Sequence, residues 1–348
     1  MKWQDRRLLD LFGIDHPILQ APMAGASSTP MAVAVSEAGG LGAVAAAMLT
    51  PETLRTELQL VQQATARSIN LNFFVHKPPV ADAAREAGWR KRLAPYYREL
   101  GLPADAGVGG PVRAPFDTAL CDVVLEYKPR VVSFHFGLPD VALVQRLKAA
   151  GIVVIGSATS AEEARWLEQR GCGAIIAQGA EAGGHRGMFL NDDIGRQAGT
   201  MALVPQVVDA VKVPVIAAGG IGDGRGIAAA LALGAAGAQL GTAFLLTPEA
   251  KTSPLHRAAL KQAHDNSTVL TNVFTGRPAR GIVNRLMREI GPINDAAPEF
   301  PLAAAAVFAL RAKAEPKGIN DFTGLWAGES ATRGREMPAA ELTRSLAE

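Results

Sequence analysis

Eight short runs rich in valine, isoleucine and alanine recur at 17–21, 41–45, 68–73, 130–134, 151–155, 174–177, 214–218 and 238–241. Most are continuous rather than alternating in polarity, which predicts strands covered on both faces. Segments of helical character follow many of them, at 29–38, 51–66, 139–149, 160–170 and 224–233. Ser160 and Glu163 stand at capping-box spacing. Alternation of this kind predicts a parallel sheet. Eight units within roughly 245 residues match an α/β protein with a TIM (β/α)8 barrel. A doubly wound sheet is the competing arrangement. It is disfavoured because Gly222-Asp223-Gly224-Arg225-Gly226 has Ile227 where a dinucleotide fingerprint needs its third glycine.

Two stretches break the repeat. Residues 76–128 carry Pro78-Pro79, the basic Arg90-Lys91-Arg92, Tyr96-Tyr97 and a glycine- and proline-rich part at 101–115, and read as a long third crossover. Residues 248–317 read as a mainly helical lobe over the barrel mouth. The expected organisation is a barrel over 1–247, that lobe, and a tail at 318–348. The tail packs back on the barrel and is polar and mobile at its end.

Composition narrows the partners. A net charge of +2 over 348 residues gives no basic surface for nucleic acid. The longest apolar stretches, such as 39–49, are too short for a membrane span. The N-terminus does not read as a signal peptide. Two cysteines, Cys121 and Cys172, offer neither a disulfide framework nor metal spacing, which points to the cytoplasm. Monomer and homodimer both remain open.

In a barrel, chemistry collects where the strands end. The last two runs close in Gly219-Gly220-Ile221-Gly222 and Gln239-Leu240-Gly241-Thr242, at the positions where barrels often bind phosphate through backbone amides. The sixth run leads into "QGAEAGGHRG", 178–187, which has little side-chain bulk yet keeps Gln178, Glu181, His185 and Arg186. Beside a phosphate site such a segment suits a flat ligand lying close to the main chain, with Gln178 and, across the mouth, Asn70 at its edge. His185 and His135 are the histidines at strand ends and suit a base or hydrogen-bond donor. His16, His76, His256 and His264 lack such a setting and read as structural or surface residues.

The strings "PILQAPMAG", "INLNFF", "FHFG", "AQGAEAGGHRG", "PVIAAGGI" and "GAQLGTAFL" occur in that order over 17–246, with "DFTGLWAGES" in the tail. Together they resemble the nitronate monooxygenases, once called 2-nitropropane dioxygenases, and the bacterial class I branch in particular. The resemblance implies an FMN-dependent barrel oxidoreductase. It would oxidise alkyl nitronates, propionate 3-nitronate above all, with molecular oxygen to a carbonyl product and nitrite or nitrate. It further implies that Asn70, Gln178, Gly183, Gly184, Gly219, Gly220, Gln239, Leu240, Gly241 and Thr242 hold FMN, with Pro22 and Met23 lining the flavin through the backbone. His185 would then be the base toward neutral nitroalkanes, and His135 would help hold the anionic substrate. One departure stands out. Some class I members place tyrosines and a lysine in a helical segment near the substrate, whereas 298–308 here offers Phe300, alanines and Phe308. That points to a larger or more apolar nitronate. The rival readings are an NAD(P)H-dependent flavin reductase of the same barrel group, acting on quinones or enoyl thioesters, and a non-catalytic FMN-binding barrel.

Overall fold

The computed structural model describes residues 3–107 and 114–348; the middle of the expected glycine- and proline-rich segment, 108–113, lies outside them. All eight expected strands form: β1 (Ile18–Gln20), β2 (Gly42–Ala45), β3 (Ile69–Phe74), β4 (Val131–His135), β5 (Val153–Ala158), β6 (Ala174–Gln178), β8 (Val215–Ala218) and β9 (Gly237–Leu240). They pair in parallel in the order β1-β9-β8-β6-β5-β4-β3-β2. A parallel bridge between Leu19 and Leu41 joins the two ends. The side chain of Gln20 reinforces that seam, because its Oε1 accepts from the Ala43 amide at 2.8 Å. The architecture is the closed eight-strand barrel, and the doubly wound alternative falls.

Burial explains the unbroken apolar runs. Every residue of β3 is buried, and the sheet's outer face packs against surrounding helices in one large cluster that includes Leu71, Phe73, Val132 and Leu203. The lower end of the barrel is stoppered by the short helix Arg7–Phe12, whose Leu8, Leu9 and Phe12 join Leu19, Val131, Ile176 and Ile216. The other end, where the strands finish, stays open for function.

The segments beyond the barrel differ in part from expectation. Residues 248–317 contain the helices Pro254–Lys261, Arg285–Ile290 and Ala303–Ala314, but also an antiparallel hairpin, β10 (Thr268–Thr271) with β11 (Ala279–Ile282). A two-residue strand, β7 (Gly184–His185), adds to β11 through Ala279 and Arg280. The lobe is therefore mixed, and its hairpin grips the glycine-rich segment after β6. The crossover helix Ala83–Glu99 buries Trp89, Leu93, Tyr96 and Tyr97 with Phe274, Leu286, Val307 and Leu310 of the lobe, so this insertion and the lobe share one core. The C-terminal segment, expected to be mobile at its end, forms a helix on the barrel. Helix Ala339–Ala347 buries Leu342 and Leu346 beside Met31, Val35 and Ile227 of the barrel helices.

Close packing makes some glycines indispensable. A Cβ on Gly42 would stand 1.9 Å from the Ala32 carbonyl oxygen, where β2 meets helix Thr29–Glu37, whereas one on Gly88 in the crossover helix would meet nothing within 4 Å. Gly42→Ala should therefore destabilise the fold by about 2–4 kcal/mol, and Gly88→Ala should stabilise it by roughly 0.5–1 kcal/mol. Urea denaturation followed by circular dichroism measures both; equal midpoints for the two variants would refute this account of the packing.

Candidate active site

A cavity of about 360 Å³ opens at the C-terminal ends of the strands. One end is a cradle of main chain. After β8, Gly219 and Gly220 take φ of 111° and 70°, a left-handed course that glycine alone adopts without strain. After β9, Gly241 leads into the 3-10 turn Thr242–Phe244. Among the described residues, neither the Gly220 nor the Thr242 amide has an acceptor within the chain. The tail completes this end: the Gly328 amide donates to Thr242 Oγ1 at 2.9 Å, and the Ser330 hydroxyl donates to the Gly220 carbonyl. Gln239 Oε1 is buried in the same wall without a partner. Unpaired amides and an orphaned acceptor make a site for a ligand that carries both an anion and hydrogen-bond donors.

The opposite lip is the segment 178–187. Its low bulk has a reason internal to the protein. A Cβ on Gly179 would lie 2.0 Å from Thr200 Oγ1, and one on Gly183 would lie 2.6 Å from the Gly328 amide nitrogen. The loop is thus wedged between a barrel helix and the tail, and the glycines answer to those contacts before any ligand. Arg186 is fully buried; its guanidinium donates to the carbonyls of Gly179 at 2.5 Å and Gln178 at 2.7 Å, and to Gln197 Oε1. Burial lowers it to about 10, so it remains charged at neutral pH. Glu181 accepts from the Thr200 amide and hydroxyl at 2.8–2.9 Å, so its carboxylate caps helix Thr200–Ala210 instead of facing the cavity.

This bracing aims the histidines. The His185 carbonyl accepts from Gln178 Nε2 at 3.1 Å and from His135 Nε2 at 3.0 Å, while Gln178 Oε1 takes the Gly187 amide at 2.7 Å. The His185 ring stands 2.9 Å from Thr275 Oγ1 of the lobe. Around it lie Phe74, Phe136, Phe300 and Trp326, with ring centroids 5.3–6.1 Å away. Phe136 has a φ of 75°, a strained course for a bulky residue, and Arg277 lies 4.0 Å above its ring. Burial pushes the His135 imidazole down to about 4, with a smaller opposing pull from its bond to His185. His135 is therefore neutral, and its one N–H is committed to the His185 carbonyl. Through that bond His135 braces the lip on which His185 stands.

The structure brings most of the expected site residues together. Pro22, Met23, His135, Gln178, Gly183, Gly184, His185, Gly219, Gly220, Gln239, Gly241 and Thr242 all line the cavity. Leu240 is buried behind the wall, packed with Ile18 and Phe244. Asn70 does not line it. On β3, Asn70 and Asn72 share a face but differ by one layer, and the one nearer the strand's end, Asn72, reaches the cavity and donates to Ser133 Oγ at 2.9 Å. Strand parity allowed either residue, and distance along the strand decides. His256, expected to be a structural or surface residue, also lines the cavity, and no local pattern signalled this. In the departure region, Phe300 is buried against Phe74 and His185, whereas Phe308 points away and is 64% exposed.

Comparisons agree with this geometry. The sequence model of a family described as nitronate monooxygenase matches residues 5–348. A nitronate monooxygenase of Pseudomonas aeruginosa is 43% identical over 345 residues, covering 98% of both chains. One from Paraburkholderia phytofirmans is 43% identical, covering 98% of this chain and 94% of its own. Among solved structures, a nitroalkane oxidase from Streptomyces ansochromogenes superposes with a TM-score of 0.89 at 40% identity, covering 98% of this chain and 96% of that one. FabK from Thermotoga maritima follows with 0.74 at 30% identity, covering 98% and 94%.

The buried neutral histidines set a pH dependence. His135 and His256 both sit at about 4 in the folded protein, against about 6.5 when unfolded. As pH falls below about 6.5 the unfolded chain gains protons that the folded one refuses, so stability is full above that point and declines toward pH 4. His135→Gln should remove part of that decline, on the order of 2 kcal/mol between pH 7.5 and 4.5. Denaturant midpoints at the two pH values read the difference; an unchanged decline would mean that His135 titrates normally.

Proposed function

The chain belongs to the nitronate monooxygenase family, and from that premise we propose that it is an FMN-dependent enzyme oxidising alkyl nitronates with molecular oxygen, to a carbonyl product and nitrite or nitrate. It works in the cytoplasm as a monomer or homodimer; among the described residues no helix is long and apolar enough to cross a membrane. The observation that carries the substrate reading is electrostatic. None of the described residues lining the cavity is acidic, Lys251 and Arg311 stand in its wall, and the buried guanidiniums of Arg186 and Arg277 both act on His135. Such a field favours an anion.

The residues present fit the flavin. Gly219, Gly220, Gly241 and Thr242 would hold its phosphate, and Gln239 and Asn72 would meet its polar groups, with Pro22 and Met23 against the ring. When bound, FMN supplies the electron-accepting chemistry that side chains lack. The chain's own part is placement and proton transfer. Thr275 orients the His185 imidazole, which takes the proton from the carbon bearing the nitro group when the substrate arrives as the neutral nitroalkane. The aromatic wall of Phe74, Phe136 and Trp326 limits water around that carbon. With preformed nitronate this proton step is already complete.

The likeness to FabK favours a second reading, a nicotinamide-dependent reductase. Oxygen uptake with propionate 3-nitronate, and anaerobic mixing of the yellow protein with nitronate or NADH, separate the two. Flavin bleaching by nitronate supports the oxidation, and bleaching by NADH alone overturns it. His185→Asn should keep its flavin and lose about 100-fold or more in kcat/KM for neutral nitroalkanes, with a smaller loss for nitronates. Equal losses on both substrates would remove the proton-transfer role.

A further inference from the structure

Buried polar atoms without partners are rare, because each costs about 1–3 kcal/mol in lost solvation. Beside Gln239 Oε1, two more belong to residues lining the cavity: Thr252 Oγ1 and His256 Nε2. Neither residue has a part in the function proposed above. Thr252 is only 7% exposed, so bulk water does not serve its hydroxyl. The main chain there is held firmly. Ser253 caps helix Pro254–Lys261 by accepting from the His256 amide at 3.3 Å, and the Lys251 amide donates to the Ala26 carbonyl at 2.8 Å. The segment is thus pinned to the loop that follows Pro22 and Met23.

The chemistry of these groups restricts what they meet. An amide oxygen accepts, a hydroxyl donates and accepts, and a neutral imidazole offers one N–H and one lone pair. Burial pushes His256 down to about 4, with the Trp326 carbonyl opposing in part, so the ring is uncharged near neutrality. None of the three carries a charge. Gln239 Oε1 needs a donor, as does His256 Nε2 while the ring's N–H serves the Trp326 carbonyl, and Thr252 Oγ1 takes either role, so hydroxyl groups match all three whereas a bare anion could meet Thr252 alone. The wall also lies next to the phosphate cradle in the chain: Gln239 precedes Thr242 in the same strand end, and Thr252 and His256 follow it in the same sector of the barrel. In a flavin mononucleotide the part adjoining the phosphate is a chain of hydroxyls.

We propose that Thr252 and His256, with Gln239, hydrogen-bond the hydroxyl-bearing ribityl chain of the cofactor. The inference rests on the cofactor reading given above. A ribose of a second nucleotide would present the same chemistry, and the test distinguishes the sources.

Flavin-stripped protein is titrated with FMN, with riboflavin, and with lumiflavin, which has a methyl group in place of the ribityl chain; NADH is titrated against the flavin-loaded enzyme. Fluorescence quenching gives each Kd. His256→Leu should weaken FMN and riboflavin about tenfold and Thr252→Val about fivefold, as expected for one neutral hydrogen bond each. Lumiflavin binding should not change, and His256→Gln should recover most of the loss. Equal weakening of lumiflavin would place these groups at the ring and overturn the proposal. So would unaltered FMN binding in both variants, or a loss confined to NADH. Wild-type protein that binds no flavin would remove the cofactor reading itself, whereas tight FMN binding indifferent to both substitutions would remove this inference alone.

Discussion

The guanidinium of Arg186 is the point on which the site turns. A charge with no exposure to water costs several kcal/mol unless its hydrogen bonds are met inside the protein. Here two carbonyls and the Gln197 amide oxygen meet them, and among the described residues it makes no ion pair. Those carbonyls belong to Gln178 and Gly179, the end of β6 and the first step of the lip. The loop therefore cannot swing away without stranding a buried cation. Its geometry fixes the His185 carbonyl, which in turn receives Gln178 and His135.

The barrel supplies only part of this arrangement. Its last two strand ends make the floor of the cradle, but the roof comes from far along the chain. β11 pairs with β7, Thr275 meets the His185 ring, and Trp326, Gly328 and Ser330 fold back over the opening. The lobe is itself steadied by the crossover helix Ala83–Glu99, whose Tyr97 hydroxyl donates to the Ala306 carbonyl at 2.6 Å. The geometry around His185 is a product of long-range packing, so damage to the lobe's core is felt there.

What the sequence made legible follows the range of the forces involved. The eight strands were readable because each is buried on both faces and so carries its own apolar signature. The main-chain turns after β8 and β9 were readable because their glycines answer a local backbone requirement. Asn70 and Asn72 illustrate the limit: alternation puts both on the inner face, but which layer reaches the mouth depends on the barrel's depth, a global quantity. His256 gave no local signal, since its burial comes from a helix packed beside Trp326, 70 residues later in the chain. The hairpin was hidden because Thr268–Thr271 is short and finds its partners only through tertiary pairing. The segment 178–187 was rightly singled out, yet its glycines are explained first by Thr200 and Gly328.

Two of the cations that act on this cavity do so without lining it. Arg186 and Arg277 are pushed down to about 10 by burial and stay cationic, yet neither lines the cavity. Arg277 is turned onto the Phe136 ring and donates to the Met188 carbonyl. A guanidinium in direct contact with a nitronate would bind substrate and transition state alike, which lowers KM without helping the chemical step. Set one layer back, the same charges raise the local potential through a medium of low dielectric without contacting what the cavity holds. His135, occupied with the His185 carbonyl, keeps the lip in register.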